Sequence, residues 1–426
     1  MGPAIIQIAT DARLPSAADV VIIGGGIIGI ATAFNLAGRG LSVLVCEKGV
    51  IAGEQSSRNL GWIRKLMRNT VLTELLLRSD ALWAEMNATT GAESGYRARP
   101  MVVAARNARI SATHEDWLRG AGDLAATARI VSAAELHAMV PSLVGRFSSA
   151  LVDASAGGAE PTHATSALAQ VARARGAVIA AGCRVIEIER SAGAVSGVVT
   201  EQGPVRCKSV VIAGGVWSRT LCRQLGIDFP QQKVLVSIAR STPLAGGPEQ
   251  LVGADNMLVR PHLGGGYVFT DMRDNTAPIV PESFLLGHRY LPSYLRGRRF
   301  MRLRLNRQFL EEMASKETQI ALEKNRVLDP APVRNAAVRA KAGLDAAFPI
   351  FSAARVEQVW AGYVDFLPDE MPVISPVESV SGLVLASGFS GMGFGVGPAA
   401  GELAADLVAG ETPRIDPAPF HLSRLD

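Results

Sequence analysis

A short apolar run, Val20–Ile23, opens into Gly24-x-Gly26-x-x-Gly29, and from Ile27 to Ala37 the chain reads as a helix. Few folds need three glycines at this spacing between a strand and a helix. Gly24 permits the tight turn, Gly26 lets a phosphate approach the backbone, and Gly29 lets the helix pack against the strand. The helix-start amides, Ile27 among them, and the helix dipole stabilise phosphate charge. A second apolar run, Ser42–Val45, ends at Glu47 and Lys48. An acid about 20 residues past the glycines can accept hydrogen bonds from ribose hydroxyls. The first fifty residues therefore predict a strand–helix–strand unit that holds a dinucleotide.

A second glycine segment lies far away, Gly388-Phe389-Ser390-Gly391-Met392-Gly393-Phe394-Gly395-Val396-Gly397. It follows the apolar run Leu383–Ala386 and opens a helix to about Leu407. NAD on one Rossmann half does not need a second anion-friendly helix start. A flavin does, because its ring lies far from its adenine and gains negative charge on reduction. FAD is the predicted cofactor, with Gly388, Gly391 and the helix start as its ring cradle.

The chain has 426 residues, 48% hydrophobic and 19% charged, with a net charge of +4. That size suits two domains sharing a large core. The small net charge and the lack of a basic–aromatic pattern argue against nucleic acid. Four cysteines, Cys46, Cys183, Cys207 and Cys222, have no paired spacing. This predicts no metal site, no disulfide framework and a reducing compartment. No apolar run reaches the ~18 residues of a membrane span, and no secretory signal is evident. The expected location is the cytoplasm.

Helices are predicted over Val71–Met86 and Pro161–Arg175, and a short one is capped by Ser132 with Glu135. Cys183–Ile188, Ala194–Thr200 and Val205–Cys207 read as a β-meander, and Val210–Ala213 as a separate strand. Residues 231–270 alternate like an antiparallel sheet. The stretch 281–347 is helical in character, with Arg289, Arg296, Arg298, Arg299, Arg302, Arg304 and Arg307 close together. These arginines suit a solvated helix face, or else attraction of an anion or a partner subunit. The predicted fold is α/β. A Rossmann-type, glutathione-reductase-like FAD domain (1–90, 150–225 and 355–426) joins a substrate domain with an antiparallel sheet (91–149 and 226–354).

The segment from Asp19 through the first glycines, the stretch Glu54-Gln-Ser-Ser-Arg-Asn-Leu-Gly-Trp62 and the C-terminal glycine run together resemble the D-amino-acid oxidase superfamily. The resemblance covers nearly the whole chain. It implies that Ser56, Ser57, Arg58, Asn59, Gly61 and Trp62 line the flavin and its pyrophosphate, and that Val185 meets the adenine. Ala213, Gly214, Gly215 and Trp217 match a third flavin-contacting turn, while Met392, Gly393 and Phe394 would sit by the ring. A guanidinium also pairs well with phosphate, which gives Arg58 a direct rationale. All four cysteines precede residue 223, whereas some relatives attach flavin to a late cysteine, so non-covalent FAD is expected.

The pattern breaks at the substrate. Val364 and Asp365 stand where the family usually has a carboxylate-binding arginine, and Gly395 stands where sarcosine oxidases have lysine. Arg64 is the first candidate to replace them, and Arg260 the second. If the substrate lacks a carboxylate, Asp365 could pair with its cationic nitrogen. Tyr267 and Tyr363 could cap the pocket. The six histidines form no cluster. The function expected is oxidation of a C–N bond in an amino acid or amine, with hydride passing to flavin and the imine then hydrolysing. A D-amino acid or N-substituted amino acid is the expected substrate, with oxygen or another electron acceptor. Two alternatives stay open: a 2-hydroxy acid dehydrogenase, or a flavoprotein subunit of a heteromeric complex. A homo-oligomer is also compatible.

Overall fold

The computed structural model describes residues 1–305, 309 and 325–425. Two sheets organise it. The first has eight strands, and its parallel centre runs in the order Val178–Ala180, Val43–Cys46, Ala17–Ile23, Gly203–Ile212, Leu383–Ser387. All four residues of Val43–Cys46 and all five of Leu383–Ser387 are buried, as continuous apolar strands between helical layers should be. Fully burying each such Val, Leu or Ile contributes roughly 1.5–3 kcal/mol. Helices Ile27–Gly38 and Gly393–Ala409 pack against each other so closely that a Cβ on Gly401 would lie 2.4 Å from Ala31 Cβ. The architecture is a Rossmann-type α/β unit.

The meander is present, as Val185–Ser191, Ala194–Thr200 and Gly203–Ile212. The last strand absorbs what the sequence divides in two. Its first half pairs antiparallel with Ala194–Thr200, its second half pairs parallel with Leu383–Ser387, and Lys208 and Ser209 lie between. Polar residues there interrupt the apolar signal without ending the strand. The predicted capping box at Ser132 and Glu135 is formed in full.

The second sheet has ten strands and is largely antiparallel. Its longest pairing joins Gln232–Ser241 to Val356–Phe366. Phe269, Leu344, Phe348 and Phe351 form the centre of the core on one of its faces. Strands Ser149–Asp153 and Val356–Phe366 belong to this sheet, although the sequence reading assigned both to the FAD domain. Their buried apolar runs fit either sheet, and only pairing decides between them. Within the stretch 281–347, residues 306–308 and 310–324 lie outside the described residues. Pro281–Gly297 and Ala336–Ala347 are helices, but Arg302–Leu305 is a strand beside Thr276–Ile279. Arg289 pairs with Asp228, and Arg307 lies outside the described residues.

Candidate active site

A continuous cavity of about 390 Å3 takes its wall from both sheets. The Rossmann unit supplies Gly24, Gly26, Ile27, Glu47, Lys48 and Val185, and the second sheet supplies Val236, Ile238, Leu258 and Thr270. The glycine turn is built as the spacing predicts. Gly24 has φ +116°, and a Cβ there would lie 2.4 Å from Ala213 O. A Cβ on Gly29 would lie 2.1 Å from Gly24 O. Gly29 therefore does its work in packing, behind the cavity wall. Gly29→Ala is expected to displace this turn and yield protein with little bound flavin, read as visible flavin absorbance per protein. Full flavin content in that variant would count against the turn's role.

Glu47 is half-buried, its two oxygens accepting from the amides of Gly25 and Gly49, each at 2.7 Å. Each oxygen keeps a second lone pair for a ligand hydroxyl. Burial raises its pKa, against the pull of those two amides. Ile27 N donates to Ser56 Oγ at 2.8 Å, so a serine 29 residues on caps the first helix. Lys48 Nζ reaches Glu54 Oε1 at 2.7 Å and Asn325 O at 2.6 Å, and stands 4.6 Å over the Trp217 ring. Trp217 Nε1 donates to Glu54 Oε2 at 2.9 Å. Glu54 thus organises this corner, although the motif around it draws attention to the serines instead.

Most other nominated cofactor residues line the same cavity: Arg58, Asn59, Gly61, Trp62, Ala213, Gly214, Gly391, Gly393 and Phe394. Ser57, Gly388 and Met392 lie behind its wall; all three are buried. Arg58 needs correcting as a phosphate ligand. Its guanidinium pairs with Asp329 and donates to Ala361 O at 3.1 Å and Gly53 O at 3.3 Å. Asp329 is far off in sequence, so the stretch around Arg58 could not reveal it. The cavity suits an extended dinucleotide, with bare glycine backbone at Gly24 and Gly26 and a ribose-competent acid at Glu47. The indole N–H of Trp62 is buried with no acceptor among the described residues, which leaves one donor for a ligand.

Three of the substrate candidates are structural. Arg260 is 3% exposed and forms a two-pronged ion pair with Glu160, both contacts at 2.9 Å. It also donates to Leu60 O, and it does not line the cavity. Tyr267 packs edge-on against Phe351, with ring centroids 4.8 Å apart, inside the second core. Asp365 touches the cavity, but its carboxylate is already engaged. It accepts from Gln55 Nε2 at 2.9 Å, Gln231 Nε2 at 3.2 Å and Gly388 N at 2.8 Å. It therefore braces the C-terminal turn and is not an open partner for an amine. Tyr363 lines the cavity.

Arg64 remains. It follows the short strand Trp62–Ile63, whose backbone lies against Gly395: a Cβ on Gly395 would stand 3.3 Å from Trp62 O. Arg64 lines the cavity, and among the described residues its side chain donates to Leu66 O at 3.0 Å. It has no acidic partner within ion-pair distance among the described residues. Burial pushes its pKa down to about 10, which leaves it protonated at neutral pH. Arg68, on the same wall, was not nominated from sequence. Its Nε is buried without an acceptor among the described residues. No local signal separates it from a surface arginine. No group of three or more metal-ligating side chains occurs among the described residues.

The family model described as FAD dependent oxidoreductase, DAO, matches residues 19–407. The chain belongs to this family. It is similar to the glycine oxidase of Pseudomonas putida, at 26% identity over 94% of this chain and 97% of that protein. Among solved structures it resembles the L-amino acid deaminase of Proteus myxofaciens, solved in complex with anthranilate. That likeness has a TM-score of 0.94 and 32% identity, over 100% of this chain and 97% of the other. The L-amino acid deaminase of Proteus vulgaris gives 0.92 and 32%, over 99% and 100%. This DAO-family chain is an FAD-dependent oxidoreductase of amino acids or amines. No helix among its described residues is long and apolar enough to cross a membrane.

Proposed function

We propose that the chain oxidises the C–N bond of an α-amino acid whose carboxylate is held by Arg64. The observation that carries this reading is a protonated guanidinium in the cavity wall with no acid beside it among the described residues. Arg64 is half-buried, and a cavity filled by cofactor and substrate strips more water from it, which favours a ligand that brings a counter-charge. A carboxylate supplies that charge and can take two parallel N–H bonds. The L enantiomer is favoured, because the two solved relatives at 32% identity are both L-amino acid deaminases.

Bound FAD would supply the hydride acceptor. The chain's own work is positioning. Arg64 fixes the carboxylate, and the apolar wall of Val236, Ile238 and Leu258 excludes water from the α-carbon. The amine must be neutral for its lone pair to assist hydride departure, and it can be taken in that form from solution. The imine product hydrolyses to a keto acid and ammonia. A hydroxy acid would need a base for its hydroxyl proton, and no histidine lines the cavity among the described residues.

Anaerobic mixing with matched substrates tests the reading. Flavin bleaching is expected with L-α-amino acids, but neither with the same amines lacking the carboxylate nor with 2-hydroxy acids. Bleaching by simple amines at equal efficiency would overturn it. Turnover by the purified chain, run as a single species on size exclusion, would dispose of the subunit alternative.

A further inference from the structure

We propose that the substrate carries a second anionic group, received by Arg68: an amino dicarboxylate, with its extra carboxylate on the side chain or on a nitrogen substituent. The inference rests on the amino-acid reading above and specifies its substrate class. The segment 64–68 is built to hold two cations at one wall. Its middle is anchored by Lys65, 3% exposed and paired with Asp80 and Asp153. Met67 then takes a left-handed conformation, φ +58°, which an L side chain adopts at some cost. The turn closes with Arg68 N donating to Lys65 O at 3.2 Å, and Trp117 Nε1 holds Arg68 O at 2.9 Å. Arg64 and Arg68 both end in the cavity wall.

The charges there do not balance. Neither guanidinium has a carboxylate within ion-pair distance among the described residues. Burial and the repulsion of Arg64 together push the Arg68 pKa down, and only Glu370 pulls the other way. Glu370 is half exposed and stands 3.9 Å from Arg296. One substrate carboxylate neutralises one guanidinium and leaves the other half-buried and without an acid among the described residues. A second carboxylate removes that cost and fills the donors of Arg68, including the buried Nε.

The test uses the FAD-loaded protein under anaerobic conditions and compares near-isosteric pairs. L-glutamate is set against L-glutamine, and N-carboxymethyl-L-alanine against N-carbamoylmethyl-L-alanine. The bleaching rate constant divided by the dissociation constant should favour the dicarboxylate of one pair by about tenfold or more, a gap of ~1.4 kcal/mol. Which pair shows it locates the second carboxylate. In Arg68→Gln that ratio should collapse towards one, and Arg68→Lys should restore part of it. Binding of glutarate against butyrate, read from the flavin spectrum, should show the same preference and the same loss. Equal efficiency within both pairs, or an unchanged ratio in Arg68→Gln, would overturn the proposal. Bleaching by amines without any carboxylate would instead remove the amino-acid reading beneath it.

Discussion

Replacing Arg64 with glutamine is expected to lower kcat/KM for an α-amino acid by roughly 30- to 5000-fold. That range corresponds to the ~2–5 kcal/mol lost when one partner of a buried charge pair is truncated. The loss should appear mainly in KM or the substrate dissociation constant, because Arg64 binds the carboxylate and not the reacting atoms. Arg64→Lys should recover only part of it, since an ammonium is a point charge and cannot make the two-pronged contact. Flavin content should stay near that of the unaltered protein, as Arg64 lies beyond the glycine turn and Glu47. Rapid kinetics with amino acids and with their decarboxylated amines checks the idea. If both classes weakened by the same factor, Arg64 would be a general structural element and not a carboxylate anchor.

The second large effect concerns stability. Glu160→Ala should destabilise the protein by about 3–5 kcal/mol, because it strands a buried guanidinium. Burial by itself would raise the Glu160 pKa. The charge and hydrogen bonds of Arg260, with help from His262 and the Leu263 amide, outweigh it and hold the group at about 2. A carboxyl depressed in the folded state stabilises fully above its ordinary value, near 4.5, and that contribution drains as pH falls towards 2. The unaltered protein should therefore lose melting temperature across this acid window, and Glu160→Ala should lack that part of the slope. The double replacement of Glu160 by Leu and Arg260 by Met should recover much of the loss. Melting curves against pH read all three. An Arg260 that served substrate would behave otherwise: its loss would cut turnover and leave the melting temperature in place.

These two arginines show what sequence could and could not reveal. The glycine turn, Glu47 and the C-terminal glycine segment were legible because their chemistry depends on spacing within a few tens of residues. Arg64 and Arg260 look alike from sequence, each an arginine free to serve as a carboxylate anchor. What separates them is Glu160, a hundred residues from Arg260 and brought to it by folding. Tyr267 reads from sequence as a cap for the pocket, yet its ring packs against Phe351. Arg68 escapes a sequence reading for the opposite reason, since its lack of an acidic partner among the described residues exists only in three dimensions. The long strand Gly203–Ile212 reads as two because Lys208 and Ser209 interrupt its apolar run, and the change of partner along one edge that accompanies them is set by folding.

The brace at Asp365 carries a consequence for how the molecule comes together. One carboxylate gathers donors from Gln55, Gln231 and Gly388, three stretches separated by more than a hundred residues each. The full set of contacts is complete only when all three stretches have converged on Asp365. The loop after the second strand and the turn before the last helix should therefore set late and together. In hydrogen–deuterium exchange they should open as one cooperative patch, and Asp365→Ala should speed labelling at Gly388 and around Gln55 alike.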